Sequence, residues 1–175
     1  IYFDNAATSF YKPEQVARTV YDTMVKYGAN AGRGGHRLSA RAGDILYEAR
    51  EDVCRLLHIE DVERLAFCQN TTHALNMGMK GVVKEGDHII ITSMEHNSVL
   101  RPAESLRQQG TASYTIVRGN EKGEIPLSGI VRAIRPNTRL IVMTHVSNVC
   151  GNVFDIDAVA EIARERGILL MVDAA

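Results

Sequence analysis

The 175-residue chain has only three cysteines, Cys54, Cys68 and Cys150, widely spaced and without a CxxC pair. An odd, scattered set of this kind excludes a disulfide framework and a thiolate zinc site. An excess of charge of one sign is lacking too. Lys and Arg number 20 against 21 Asp and Glu, a formal net charge of -1, with no basic run and no acidic tail. Nothing therefore favours nucleic acid or a membrane surface as a partner. Apolar runs stop at strand length, far short of a membrane span. No charged-then-apolar leader opens the chain, so the expected location is the cytoplasm. The six histidines are dispersed. His96 and His145 find no third ligand at useful spacing, and no metal centre is expected. The glycines of "NAGRGGH" follow a helical segment and lack GxGxxG spacing, and no phosphate-loop lysine motif occurs. No internal repeat, low-complexity segment or linker is present.

What is present reads as alternating elements. "KPEQVARTVYDTMVKYG" predicts a helix with Pro13 in its first turn and Gly28 at its stop, and Val16, Val20 and Met24 form one stripe. "SARAGDILYEAREDVCRLLHI" predicts a longer helix capped by Ser39, with Ile45, Ala49, Val53 and Leu56 on one face. From Arg64 onward, the apolar runs "RLAFCQ", "HIIIT", "SYTIV", "RLIVMTHV" and "ILLMV" alternate with helical segments. Strands apolar at every position are buried on both faces. The order predicts an α/β fold, a mostly parallel sheet flanked by helices. Cys54 and Cys68 fall in a helix and a strand, and all three cysteines are expected to serve packing.

Ligands of open α/β sheets bind beyond the carboxyl ends of the strands. "RLAFC" is followed by Thr71 and Thr72 at a helix start, "HIIIT" by His96, "RLIVMTHV" by Asn148, and "ILLMV" by Asp173. Each has a plainer reading: a helix cap, an incidental loop histidine, turn chemistry, a cap or an ion pair. Their shared position is the signal. Helix-opening N–H groups with hydroxyls suit a phosphate. An imidazole can stack on a flat heteroaromatic ring. A buried carboxylate suits a protonated ring nitrogen, and an amide can donate to a phenolic oxygen. Together these groups describe pyridoxal phosphate, with Asp173 keeping the pyridine nitrogen protonated so that the ring can accept electrons.

The segments "IYFDNAATS", "NAGRGGHRLSARAG", "QNTTHALN", "TSMEHNSVLRP", "THVSNVCGN" and "MVDAA" resemble, in order and over residues 1 to 175, the class V aminotransferase family, and within it the cysteine desulfurases and selenocysteine lyases. The resemblance implies a type I pyridoxal-phosphate fold, here a partial large domain, and a homodimer. It implies that Thr71 and Thr72 hold the phosphate and that His96 stacks on the ring and transfers a proton. Asn148 would reach the phenolic oxygen and Asp173 the pyridine nitrogen, while Asn30 and His36 would lie near the substrate. Residues 1–28 would pack with a downstream small domain, and 29–175 would form part of the cofactor domain. His73 departs from the pattern, standing where the family often has Glu. The family's cofactor-bonding Lys, its sulfur-accepting Cys and the Arg that grips the substrate carboxylate are expected beyond Ala175. Lys12, Lys26, Lys80, Lys84 and Lys122 match no family motif. The chain is thus expected to be the amino-terminal part of a larger enzyme, inactive alone. The whole enzyme would take sulfur from L-cysteine, leave alanine, and pass the sulfur through a Cys persulfide to an acceptor protein. Selenocysteine lyase and transaminase activity stay open within the family. From other classes, a non-catalytic nucleotide-binding module and a partner subunit stay open.

Overall fold

The computed structural model describes residues 1–5 and 7–175. It contains two compact units, residues 1–67 and 68–175.

In the first unit, α1 spans Glu14–Lys26, with Pro13 as its N-cap, Glu14 in its first turn and Lys26 in its last. These charges complement the helix dipole. The expected stripe of Val16, Val20 and Met24 lies on this helix, and all three side chains are exposed. Helix α2 spans Arg37–Leu56. It starts before Ser39, and its cap is His36, whose Nδ1 accepts the Ser39 N–H at 3.3 Å. The Ser39 hydroxyl is not free to cap. It donates to the Asn30 carbonyl at 2.6 Å and accepts the Gly34 N–H at 3.1 Å. Cys54 is buried on α2. The run 64–69, expected as a strand, begins with the end of a 3-10 turn, Val62–Arg64, and continues as irregular chain. A strand needs a ladder partner for its backbone groups, and the sheet pairs only the four strands of the second unit.

In that unit the order is α3 (Thr71–Val82), β1 (Asp87–Thr92), α4 (Asn97–Gln108), β2 (Ala112–Val117), α5 (Leu127–Ala133), β3 (Thr138–Thr144), α6 (Ile156–Glu165) and β4 (Leu169–Asp173). All pairings are parallel, in the spatial order β2-β1-β3-β4. Successive strand residues point to opposite faces, and the core divides accordingly. Ile89, Ile91, Leu140 and Val142 meet Leu75 and Met79 of α3 and Val99, Ala103 and Leu106 of α4. Ile90, Ile141 and Met143 meet Ile130 of α5 and Val159 and Ala163 of α6. Ile89, Ile90 and Ile91 are 0% exposed, and each such side chain contributes about 1.5–3 kcal/mol by transfer from water. Helices on both faces thus explain the uninterrupted apolar strands. Gly110 and Gly167 take positive φ (72° and 63°) where α4 and α6 turn back into strands, a conformation that glycine adopts without strain.

At the opposite end of β1 from its carboxyl edge, His88 is 0% exposed. Its Nδ1 meets Thr138 Oγ1 of β3 at 2.9 Å and its Nε2 meets Thr115 Oγ1 of β2 at 2.8 Å. Burial, then the nearby Arg135 charge, lowers its pKa from 6.5 to about 4. The β1–β3 register shifts here. His88 pairs with Thr138 and Ile89 with Leu140, so that Arg139 is passed over.

Candidate active site

The chain leaves β1 for β2 on one side and comes back to β3 on the other. Such a reversal opens a crevice between the carboxyl ends of the strands that flank it, here β1 and β3. Thr92 and Thr144 end those strands, and Asp173, ending β4, pairs in register with Thr144. Asp173 is 6% exposed. Its carbonyl accepts the His145 N–H at 2.8 Å, and its carboxylate Oδ1 accepts the Ala175 N–H at 3.1 Å.

Helix α3 opens at Thr71, capped by Asn70, whose Oδ1 accepts the His73 N–H at 2.8 Å. The first N–H groups of such a helix lack intrahelical acceptors and face outward. Helix α4 is capped by His96, whose Nδ1 accepts the Ser98 N–H at 3.1 Å. Because that nitrogen accepts, the proton of the neutral ring belongs on Nε2. The Ser98 hydroxyl lies 2.8 Å from His96 Nδ1 and 2.7 Å from Thr72 Oγ1. Ser98 therefore joins Thr72 to His96 in one chain of hydroxyls and imidazole. Thr72, Asn76, Lys80, His96, Asn97 and Arg101 are among the residues lining a cavity of about 520 Å³ between α3 and α4.

Thr71, Asn148, Asn30 and His36 take no part in this hydrogen-bonded chain among the described residues. Thr71 is exposed beside Thr72. Asn148 is exposed in the turn after β3, which Ser147 holds by accepting the Val149 and Cys150 N–H groups at 3.3 and 3.4 Å. Cys150 is exposed there and not packed. The Ser147 hydroxyl first, then backbone hydrogen bonding, lowers its thiol pKa. Asn30 and His36 belong to the first unit, where the Asn30 carbonyl and the His36 imidazole both engage Ser39. Gly34 lies against them. A Cβ there would come within 2.7 Å of Ser39 Cβ and 2.9 Å of His36 Nε2.

Ser98 and Glu95 also join the candidate site by their contacts, and neither follows from position at a strand end. Glu95 Oε1 accepts from Thr92 Oγ1 at 2.6 Å and from the Thr144 N–H at 3.1 Å. Its Oε2 is buried without a partner among the described residues. Burial pushes this carboxyl up to about 7, its hydrogen bonds from Thr92 and Thr144 oppose the rise, and the negative charge of Asp173 adds to it. The acid in "TSMEHNS" was visible in the sequence, but its contact with β3, 49 residues away, was not.

The Aminotransferase class-V family profile matches residues 1–175. The chain belongs to that family. Among curated members, a probable cysteine desulfurase of Halalkalibacterium halodurans is 34% identical over 100% of this chain and 44% of its own length. The cysteine desulfurase IscS of Shewanella amazonensis is likewise 34% identical, again over 100% of this chain and 44% of its own. The chain thus spans less than half the length of these relatives. Among solved structures, an apo cysteine desulfurase of Thermococcus onnurineus superposes with a TM-score of 0.91 at 33% identity, covering 100% of this chain and 44% of that one. A structure described as SspA in complex with cysteine gives 0.92 at 29% identity, covering 99% and 50%. These structural neighbours match the α/β fold expected from the alternating elements, a partial type I large domain.

Proposed function

We propose that the full-length protein is a pyridoxal-phosphate-dependent cysteine desulfurase that converts L-cysteine to L-alanine and hands the sulfur to a cysteine beyond residue 175. One observation carries this reading: a nearly buried aspartate, Asp173, ends a strand beside the crevice with one carboxylate oxygen hydrogen-bonded to backbone. Its other oxygen suits a protonated ring nitrogen. The cofactor fits the donor set on that ground and on the hydroxyl–imidazole chain of Thr72, Ser98 and His96. Bound pyridoxal phosphate supplies an electron sink for the pair released at the substrate Cα. Thr71 and Thr72, with the opening N–H groups of α3, bind the phosphate. Asp173 holds the ring proton by charge. Asn148 donates to the phenolic oxygen. His96 offers a ring face for stacking and an Nε2–H for proton transfer, while Ser98 fixes the ring by holding Nδ1. Asn30 and His36 bind substrate.

In the same reading, residues 1–28 pack with a further small domain, 29–175 form part of the cofactor domain, and the protein works as a cytoplasmic homodimer that feeds a sulfur-acceptor protein. The test is to incubate the full-length protein with L-cysteine and a thiol reductant and measure alanine and sulfide. Equal amounts of both products are expected, with Asp173→Asn keeping most cofactor binding but losing roughly a hundredfold or more in turnover. Turnover of that variant within a few-fold of the parent would remove Asp173 from its assigned role.

A further inference from the structure

Two facts about Glu95 are unusual together. Its side chain turns back onto its own strand, and its two oxygens have opposite surroundings. Oε1 takes two donors, Thr92 Oγ1 from the end of β1 and the Thr144 N–H from the end of β3. One side-chain oxygen thus links the end of β1 to the end of β3 across the crevice. Oε2 is buried and accepts from nothing among the described residues. A charged oxygen in that position has lost its water and gained no donor. A protonated one needs far less.

We propose, building on the reading above, that Glu95 is a positioning residue that works as a neutral acid, with its proton on Oε2, so that it clamps β1 to β3 and leaves the negative charge of this corner to Asp173. The clamp sets the segment 93–96, and His96 is its next residue. Of the charged and titratable groups around it, Asp173 favours the neutral acid and Arg118 would favour the charged one. Asp173, on β4, opposes a second negative charge nearby, which is the ordinary behaviour of adjacent buried carboxyls. Burial is the largest cause holding the Glu95 proton, up to about 7. On the side of β2, Arg118 lines the same small cavity as Glu95, together with Thr92, Ser93 and Ile116. His96 adjoins Glu95 along the chain with its Nδ1 already committed to Ser98.

Three readouts on the full-length apoprotein test the proposal, none of them enzyme turnover. The first is the carboxyl infrared band of the parent. A protonated-acid band that persists to near pH 7 and is absent from Glu95→Gln is expected; its disappearance in the range of ordinary glutamates overturns the proposal. The second is amide hydrogen exchange at Thr144. Glu95→Gln keeps the acceptor oxygen and neutrality, so protection within about threefold of the parent is expected, whereas Glu95→Ala should exchange at least tenfold faster. Equal loss in both variants would mean that charge, not the neutral clamp, holds β3. The third is the stability of the parent minus that of Glu95→Gln. A raised acid contributes fully below its unfolded pKa and loses that contribution as pH rises through the folded one. This difference should therefore fall steadily between pH 4.5 and 7, and a pH-independent difference refutes the proton assignment. Pyridoxal phosphate titrated into Asp173→Asn separates the two ideas. If the cofactor spectrum of that variant keeps the parent's pH dependence, the assigned ring-proton role of Asp173 fails while the three apoprotein results for Glu95 stand or fall unaffected.

Discussion

His96 commits Nδ1 to its own helix, and its Nε2 has no hydrogen bond among the described residues. His96→Phe would preserve a flat ring, remove the Nε2 proton and remove the cap acceptor for the Ser98 N–H. Turnover with L-cysteine should fall by roughly a hundredfold or more, while cofactor affinity, read by absorbance titration, should change only several-fold. Lost capping should also cost about 1 kcal/mol of stability, visible in urea unfolding. Equal losses of turnover and affinity would reduce His96 to a stacking platform. Thr71 and Thr72 follow a run that forms no strand among the described residues, whereas the strand-end positions of His96 and Asp173 were legible because any polar residue just after a buried parallel strand faces the same edge. Ser98 and Glu95 were not, because their roles depend on which way a side chain bends. The Thr72–Ser98 contact joins residues 26 apart, and nothing in local composition marks it. Cys150, expected to pack, is exposed among the described residues because its turn follows a buried strand but itself leaves the sheet.

At the scale of elements, two glycines predict opposite outcomes. An alanine at Gly34 would press its Cβ to 2.7 Å from Ser39 Cβ and 2.8 Å from Ser39 Oγ. Ser39 is 2% exposed and held by Asn30 and Gly34, so it cannot retreat. Gly34→Ala should therefore destabilise the loop ahead of α2 by about 1–3 kcal/mol. In Gly78→Ala on α3, the new Cβ would meet the terminal methyl of Met171 on β4 at 2.6 Å. That methyl is the far end of a flexible chain and can swing aside. Replacing a glycine inside a helix gains about 1 kcal/mol, so Gly78→Ala should be neutral or slightly stabilising. Denaturant midpoints of the two full-length variants check both signs. Helix positions in general followed from periodicity and caps. The start of α2 shifted because a serine in a capping motif was already occupied by the preceding loop. The run 64–69 kept the composition of a strand without a partner to pair with.

For the whole molecule, a buried imidazole and a half-buried carboxyl pull the pH dependence of stability in opposite directions. His88, near 4 when folded against an ordinary 6.5, contributes fully above 6.5 and loses up to roughly 3 kcal/mol as pH falls through 4. Glu95, near 7 against 4.5, contributes fully below 4.5 and loses a comparable amount as pH rises through 7. Between 4.5 and 6.5 these slopes nearly cancel, and the parent should look almost flat on their account. Glu95→Gln should unmask a stability that climbs with pH across that window, measured by urea unfolding at half-unit steps. The same imidazole has a second consequence, for how the sheet is assembled. His88 is satisfied only when hydroxyls from both neighbouring strands arrive, Thr115 from 27 residues away and Thr138 from 50. If β3 docked one residue out of step, Arg139 would replace Thr138 beside the ring, setting a guanidinium where a hydroxyl belongs and leaving a buried nitrogen unmatched. A mispaired sheet would thus carry a polar defect at its centre, and the chain has a reason to let go and try again before the two cores close over it.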